Sequence, residues 1–210
     1  MAALSPADLP RLDARIEDAR GDVTTLTQDL IRIPTINPPG EAYGDCVTYL
    51  NNRLGRSGFT TQIIRAEGTP GDSDRYPRVN IIARREGKRP GPCVHFNSHI
   101  DVVEVGRGWT FDPFGGEVRD GRVYGRGACD MKGGMAASIV AAECYIVANP
   151  DFDGAIEISG TVDEESGGYG GVAYLAAQGL FSKPRVDHRT HVAHRAIPEE
   201  GHGAMGLMAE

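Results

Sequence analysis

The chain has 210 residues, 40% of them hydrophobic, which is enough to fill a substantial core and excludes disorder over most of its length. Its 22 Lys and Arg against 29 Asp and Glu give a formal net charge of -7 at pH 7, so it lacks the basic surface that general nucleic-acid binding needs. The sequence does not begin with a secretory signal, and no apolar run approaches the roughly 18 residues of a membrane span. We therefore expect a soluble protein with neither a nucleic-acid nor a membrane partner.

The four cysteines, at positions 46, 93, 129 and 144, show no C-x-x-C spacing. A chain of this size does not need disulfides for stability, so we interpret the cysteines as reduced thiols. Reduced thiols favour a cytoplasmic location.

Three helices and one loop are predicted in the first quarter of the chain. Residues 5–8, Ser-Pro-Ala-Asp, have the form of a helix N-cap, and apolar residues follow them at helical spacing. Further helical patterns cover residues 23–30 and 43–54. Residues 34–40, Pro-Thr-Ile-Asn-Pro-Pro-Gly, must form a loop between these two helices, because proline interrupts a helix.

The central part of the chain alternates between extended and helical patterns. Short runs rich in branched apolar residues predict four strands, at residues 59–64, 79–83, 94–98 and 155–159. Between the third and fourth strands, Asp120-Gly121 predicts a hairpin turn, and apolar residues at helical spacing predict a long helix over 131–149. This order indicates an α/β fold, a layered sheet with helices on both faces, in which catalytic groups belong at strand ends.

The first candidate motif is His99-Ile-Asp101, directly after the third predicted strand. Residues two apart in an extended chain point the same way, so His99 and Asp101 face one side together. A metal-binding imidazole usually has its second nitrogen held by a carboxylate or carbonyl, a role that Asp101 would suit. The alternative is a half-buried histidine beside a solvated aspartate.

The second motif is the glycine-rich segment 124–134, which contains G-x-G-x-x-D ending at Asp130. We reject a dinucleotide site, because a carboxylate at the sixth position would repel the pyrophosphate. Two interpretations of Asp130 stay open. It is either the N-cap of the following helix or a metal ligand on a loop whose glycines let the backbone approach the ion.

The third motif places three acids, Asp163, Glu164 and Glu165, after the fourth predicted strand. Adjacent carboxylates repel one another unless they are solvated, protonated or held by a cation. An exposed acidic loop is one explanation. The other is that Glu165 coordinates a metal while Glu164 accepts a proton from the attacking water.

Together the three motifs outweigh their separate structural explanations, because each offers a metal-ligating side chain at an end of one predicted sheet. The nitrogen and oxygen donors of His99, Asp130 and Glu165 suit zinc, with cobalt as an alternative. A carboxylate such as Asp130 has two oxygens with which to bridge two ions.

These motifs, in this order and spacing, resemble the acetylornithine deacetylase / succinyl-diaminopimelate desuccinylase / carboxypeptidase family of dinuclear zinc metallohydrolases. Residues 33–40 and 109–114 look like the family too, and the similarity extends over about residues 5–186. The resemblance implies a zinc-peptidase-like catalytic domain that hydrolyses an amide between an acyl group and an amino acid or peptide-like amine. It also implies that intact members are homodimers.

The resemblance further implies a role for each matched residue. His99 would bind one of two Zn²⁺ ions, Asp130 would bridge both, and Glu165 would bind the other. Asp101 would support His99, and Glu164 would be the general base.

The chain departs from the family in its last part. The lid domain and the return segment that carries a second histidine ligand are absent, so we expect a truncated catalytic domain over 1–186 and a divergent, poorly ordered tail over 187–210. Glu199 has an Ile-Pro-Glu context like that of a further family ligand, but it comes several residues late. Two alternatives stay open: a non-catalytic remnant that at most binds metal weakly, and a separate metal-binding tail formed by His188, His191 and His194.

Overall fold

The computed structural model describes residues 9–182. The predicted N-cap at residues 5–8, the predicted tail at 187–210 with its histidines, and the candidate ligand Glu199 lie outside the described residues.

The predicted helices and strands are present, with boundaries that shift by a few residues. The helices are α1 (Leu9–Asp18), α2 (Arg20–Ile31), α3 (Tyr43–Arg56), α4 (Gly133–Ala148) and α5 (Val172–Ala177). The strands are β1 (Thr60–Arg65), β2 (Val79–Glu86), β3 (Arg89–His99), β4 (Glu117–Arg119), β5 (Arg122–Tyr124) and β6 (Asp153–Thr161). A π-helical turn, Ala128–Lys132, precedes α4, and a single 3-10 turn, Glu164–Ser166, follows β6.

Four strands form one mixed sheet in the order β1-β2-β6-β3, and β4 and β5 form a separate hairpin. Strand β3 runs parallel to β6, whereas β2 is antiparallel to both of its neighbours. The hairpin turn is at Asp120 and Gly121, as predicted, and both residues have positive φ.

Helices lie on both faces of the sheet, which confirms the predicted layered α/β architecture. Ile81 and Ala83 of β2 point toward the first face, where their side chains share one core with residues of α2, α3 and α4. Asn80 points the opposite way, and its Nδ2 donates to the carbonyl of Gly170, just before α5. The main core therefore lies between the sheet and the first four helices.

Helix α4 is long and rich in apolar residues. Together with the turn before it, the 21-residue stretch Ala128–Ala148 contains an 18-residue window with a mean hydropathy of 1.2, enough by length and composition to cross a membrane. Its buried residues pack into the protein core, however, and they are Met135, Ala136, Ile139, Val140, Ala142, Cys144 and Ala148. The apolar composition of α4 is therefore that of a helix that packs into the core.

The parallel pairing of β3 with β6 positions the candidate site. His99, the last residue of β3, is in register with Thr161, the last residue of β6. The Ile100 amide donates to the Thr161 carbonyl at 2.8 Å, so the two chains stay side by side beyond the strands. The first and third sequence motifs therefore leave the sheet at the same edge, the one formed by the carboxyl ends of β3 and β6.

Candidate metal centre

Three side chains from three separate motifs converge at this edge. His99, Asp130 and Glu165 each offer one ligand atom, and these atoms all lie within 4.8 Å of one another. Nε2 of His99 lies 3.0 Å from Oδ1 of Asp130. Among residues 9–182, no other group of three or more such side chains comes this close together.

The main chain of Asp101 fixes the His99 ring. Nδ1 of His99 lies 3.0 Å from the Asp101 carbonyl oxygen and 3.5 Å from Oδ1 of its carboxylate. The backbone carbonyl is therefore the nearer acceptor, although the sequence interpretation allowed either group. A hydrogen bond donated by Nδ1 would leave Nε2, on the side of Asp130, as the ring nitrogen able to bind a metal.

The carboxylate of Asp101 is fully buried and connects the end of β3 to the acidic loop. It accepts hydrogen bonds from the amides of Glu164, at 3.2 Å, and Glu165, at 3.1 Å. Asn37 Nδ2 donates a third bond at 2.9 Å. Burial alone would raise the pKa of Asp101, but His99, Asn37 and the Glu165 amide lower it below its usual value. Asp101 therefore remains ionised and positions both acids that follow Asp163.

The three successive acids point to different places. Asp163, with φ of 63°, turns its side chain inward, where Oδ1 accepts a bond from the Tyr43 hydroxyl at 3.1 Å. Glu164 is 40% exposed, and its Oε2 lies 3.9 Å from Nε2 of His99. Glu165 supplies an oxygen to the cluster described above. Two of the three acids thus face the site, whereas the third belongs to the protein interior.

Asp130 is not the N-cap of α4, so the first of the two interpretations of this residue is wrong. The N-cap position is Lys132, and no side chain caps the helix there. Asp130 has φ of -127° and ψ of 95° within the π-helical turn, so its backbone is extended and its carboxylate reaches His99 instead. Gly127 begins this turn with φ of 80°, a conformation that glycine adopts without strain.

Negative charge is concentrated around the cluster. Burial raises the pKa of Glu165; His99 opposes this, while Asp130, Asp101 and Glu164 raise it further. Burial lowers the pKa of His99, but hydrogen bonds and charges from Asp101, Glu164 and Asp130 overcome that effect and bring it to about 9. The electrostatics therefore favour a cation among these side chains, and the nitrogen and oxygen donors suit a divalent metal.

The sequence analysis missed three buried polar residues around the cluster. Asn37 contacts Asp101, Arg78 contacts Asp163, and the ammonium of Lys132 donates to the carbonyls of Leu30 and Ile33 at 2.9 and 2.7 Å. Asn37 and Lys132 lie inside segments that the sequence analysis had noted, whereas nothing in its local sequence distinguishes Arg78.

Comparison with known proteins agrees with the resemblance in the motifs. Succinyl-diaminopimelate desuccinylase of Methylobacterium nodulans is 38% identical over 168 residues, which cover 78% of this chain and 40% of that protein. The desuccinylase of Methylorubrum extorquens is 37% identical over an equal length. The chain therefore spans about two fifths of the length of these curated relatives.

Solved structures share the fold at lower identity. Human carnosine dipeptidase 1 aligns with a TM-score of 0.66 and 23% identity over 76% of this chain and 35% of that one. The YXEP protein of Bacillus subtilis, a dinuclear metal binding peptidase from the M20 family, aligns with a TM-score of 0.50 and 17% identity over 75% of this chain and 39% of that one.

A family model extends the agreement to the site itself. Residues 95–207, more than half of the chain, match the model of peptidase family M20/M25/M40. The matched range begins four residues before His99 and includes all three motifs that converge at the sheet edge. The chain therefore belongs to peptidase family M20/M25/M40, a family of metal-dependent hydrolases.

Proposed function

We propose that this chain forms the N-terminal part of the catalytic domain of an amidohydrolase that cleaves an N-acyl amino acid or a related amide with metal-activated water. The observation that carries the proposal is the convergence of His99, Asp130 and Glu165 within 4.8 Å, with Glu164 beside them. Membership of the family and the similarity to desuccinylases support it.

His99, Asp130 and Glu165 are the residues that we assign as metal ligands. Their donor set of one imidazole and two carboxylates suits Zn²⁺, and Co²⁺ prefers similar donors. The carboxylate of Asp130 is half exposed, and its two oxygens would let it bridge two ions. A divalent metal supplies a Lewis acid that polarises the amide carbonyl and acidifies water at neutral pH.

Glu164 is the general base of the proposed reaction. Its Oε2 is close to the cluster, 3.9 Å from His99 Nε2, and its side chain is still accessible to solvent and substrate. In this role Glu164 takes a proton from the attacking water and delivers it to the departing amine. Asp101 is fully buried and acts by holding the His99 ring and the amides of the acidic loop, so we assign it a positioning role.

The proposed substrate is a small N-acyl amino acid, and the relatives named as succinyl-diaminopimelate desuccinylases support an N-succinyl amine. We propose a cytoplasmic location, in keeping with four cysteines that are all free. Homodimerisation of the intact protein and a domain boundary near residue 186 are further parts of the proposal.

The proposal is tested by measuring zinc and cobalt bound to the purified 210-residue chain, together with hydrolysis of N-succinyl-diaminopimelate and N-acetylornithine. We expect bound metal in the unaltered chain and strong loss of metal in His99→Ala and Glu165→Ala. Glu117→Ala is the control, since Glu117 is an exposed acid in the separate hairpin. Equal metal content in the chain and in both ligand variants would contradict the proposed site.

A second candidate function is a remnant that binds metal without turnover. The observation that bears on it is the cluster itself, because His99, Asp130 and Glu165 could hold an ion whether or not turnover follows. Metal binding with no hydrolysis of either substrate would support the remnant, whereas hydrolysis that disappears in Glu164→Ala would exclude it.

A further inference from the structure

The proline-containing loop before α3 is held against the end of β3. Ile36 forms a parallel bridge with Val102. The Asn37 amide donates to the Val102 carbonyl at 2.8 Å, and the Val102 amide donates to the Thr35 carbonyl at 2.9 Å. The Thr35 hydroxyl adds a bond to the Ile100 carbonyl at 2.5 Å. The loop thus continues the sheet beyond β3 and brings the side chain of Asn37 to Asp101.

The buried amide of Asn37 has both of its hydrogens engaged. Its side chain lies in the interior with 1% exposure. Nδ2 donates to Oδ2 of Asp101 at 2.9 Å and to Oγ of Ser166 at 2.8 Å. Oδ1 is buried and has no hydrogen-bond partner among the described residues. The buried, unpaired Oδ1 destabilises the fold, so the two hydrogen bonds donated by Nδ2 are the contacts that favour asparagine at this position.

Within the described part of the chain, the Asp101 carboxylate accepts three hydrogen bonds, and Asn37 is the one donor that is a side chain. The other two donors are the main-chain amides of Glu164 and Glu165. Because Asp101 is fully buried, water cannot easily replace a donor that is lost. Removal of the Asn37 amide would therefore leave Oδ2 of Asp101 with the Glu165 amide alone.

We propose that Asn37 is a positioning residue of the candidate metal centre. Its amide orients the Asp101 carboxylate so that this carboxylate can receive both acidic-loop amides while the Asp101 main chain holds His99. Asn37 thereby sets the separation between His99 on one strand end and Glu165 on the other. This role rests on the proposed function only where metal affinity is concerned, since the hydrogen bonds exist within the protein itself.

The test compares Asn37→Ala with Thr35→Val in the 210-residue chain. Both variants remove side-chain hydrogen bonding from the same loop, but Thr35 contacts the Ile100 carbonyl and not Asp101. The first measurement is amide hydrogen exchange of Glu164 and Glu165 in metal-free protein. We expect exchange to be faster by about tenfold or more in Asn37→Ala and nearly unchanged in Thr35→Val.

The second measurement is the dissociation constant for Zn²⁺. Loss of a group that orients ligands typically weakens metal binding about 10–100-fold, and we expect that loss in Asn37→Ala but not in Thr35→Val. The isosteric variant Asn37→Asp tests the same point in case the alanine variant folds poorly. It places a second carboxylate against Asp101 and should weaken binding at least as much.

The outcomes separate this inference from the proposed function. An unaltered chain that binds no Zn²⁺ argues against the proposed function, and the exchange rates alone then decide the role of Asn37. Unchanged exchange at Glu164 and Glu165 in both folded Asn37 variants would overturn the inference. Equal effects in Thr35→Val would also overturn it, because they would show that packing of the loop and not the Asn37 amide is responsible.

Discussion

Nε of Arg78 lies 3.0 Å from Oδ2 of Asp163, and the two side chains are only 5% and 4% exposed. The guanidinium of Arg78 also donates to the Pro39 carbonyl at 2.7 Å. Burial raises the pKa of Asp163, and Arg78 and Tyr43 oppose this increase. The buried pair thus connects the start of β2 to two loops at the candidate site and removes one of three adjacent acids from that site.

We expect Arg78→Met to destabilise the protein strongly. Removing one partner of a buried ion pair leaves an uncompensated charge, which typically costs about 3–5 kcal/mol of unfolding free energy. Urea denaturation of the metal-free chain measures this loss. The matched control is Arg89→Met, since the Arg89–Asp153 pair joins a 69% exposed side chain to a 19% exposed one and should contribute at most about 1 kcal/mol.

The double variant Arg78→Met, Asp163→Leu tests the cause of that loss. With both charges removed, much of the stability should return, because the unpaired buried carboxylate is no longer present. A double variant as unstable as Arg78→Met would point to the contacts of Arg78 with loop carbonyls as the larger contribution.

The strands of the sheet could be predicted from the local sequence pattern because they contain short runs of branched, apolar side chains. The main error concerned β3, which was predicted over residues 94–98 and begins at Arg89. Pro90 and Pro92 interrupt the strand pattern in sequence, yet β3 is an edge strand, where missing amide donors are tolerated. The order of the strands depends on tertiary pairing that no local pattern reports.

The candidate ligands could be predicted because they lie in compact motifs. His99 and Glu165 lie at or shortly after the ends of β3 and β6, whereas Asp130 lies in the turn before α4 and not at the strand end that the sequence had predicted. The residues that support these ligands could not be predicted, because their partners are distant in sequence. Arg78 is 85 residues from Asp163, and Asn37 is 64 residues from Asp101. The sequence assigned no role to Asp163, and its contacts with Arg78 and Tyr43 distinguish it from Glu164 and Glu165.

Gly127→Ala is expected to disturb the turn that carries Asp130. Gly127 has φ of 80°, and an added Cβ would lie 2.5 Å from Cγ1 of Val102. The left-handed conformation alone costs alanine about 1–2 kcal/mol, and the collision adds to that cost. Both the urea midpoint and the zinc affinity should therefore fall.

Gly134→Ala in the same motif is the control for this turn. Its added Cβ would meet nothing closer than Met131 Cε at 3.7 Å, and Gly134 lies in α4. Alanine is favoured over glycine within helices by about 0.5–1 kcal/mol, so this variant should be as stable as the unaltered chain or more so. A Gly127→Ala variant with unchanged stability and zinc affinity would show that the turn adapts to a side chain.

Acid should destabilise the fold through a pair on the second face of the sheet. Nδ1 of His95 lies 3.7 Å from Oε1 of Glu157. Burial lowers the pKa of His95 despite the nearby carboxylate. Burial alone would raise the pKa of Glu157, but hydrogen bonds from Ser182, the charge of His95 and a bond from Arg84 lower it.

The lowered pKa values of His95 and Glu157 both make the folded protein less stable as the pH falls. Neutral His95 and ionised Glu157 are the favoured folded forms, so the unfolded chain binds more protons than the folded one as the pH falls below about 6.5. The contribution of this pair to the free energy of unfolding is therefore expected to be fully present above this pH and to decrease progressively below it. Urea midpoints measured at pH 8, 6.5 and 5.5 test this. From pH 6.5 to 5.5 the urea midpoint of His95→Gln should decrease less than that of the unaltered chain, and at pH 8 the two midpoints should not differ. An equal decrease in both proteins would assign the acid sensitivity to other groups.

Glu164 and Glu165 are adjacent, yet we expect their amide variants to fail in different ways. Glu165→Gln should lose zinc in the 210-residue chain, since a neutral amide oxygen is a weaker ligand than a carboxylate. Glu164→Gln should keep zinc, because His99, Asp130 and Glu165 remain as the converging donors. Where hydrolysis is measurable, Glu164→Gln should reduce kcat by about 10²–10⁴-fold with little change in metal content, as expected for a general base. Loss of metal with loss of turnover would instead make Glu164 a ligand, and normal turnover would remove it from the chemistry altogether.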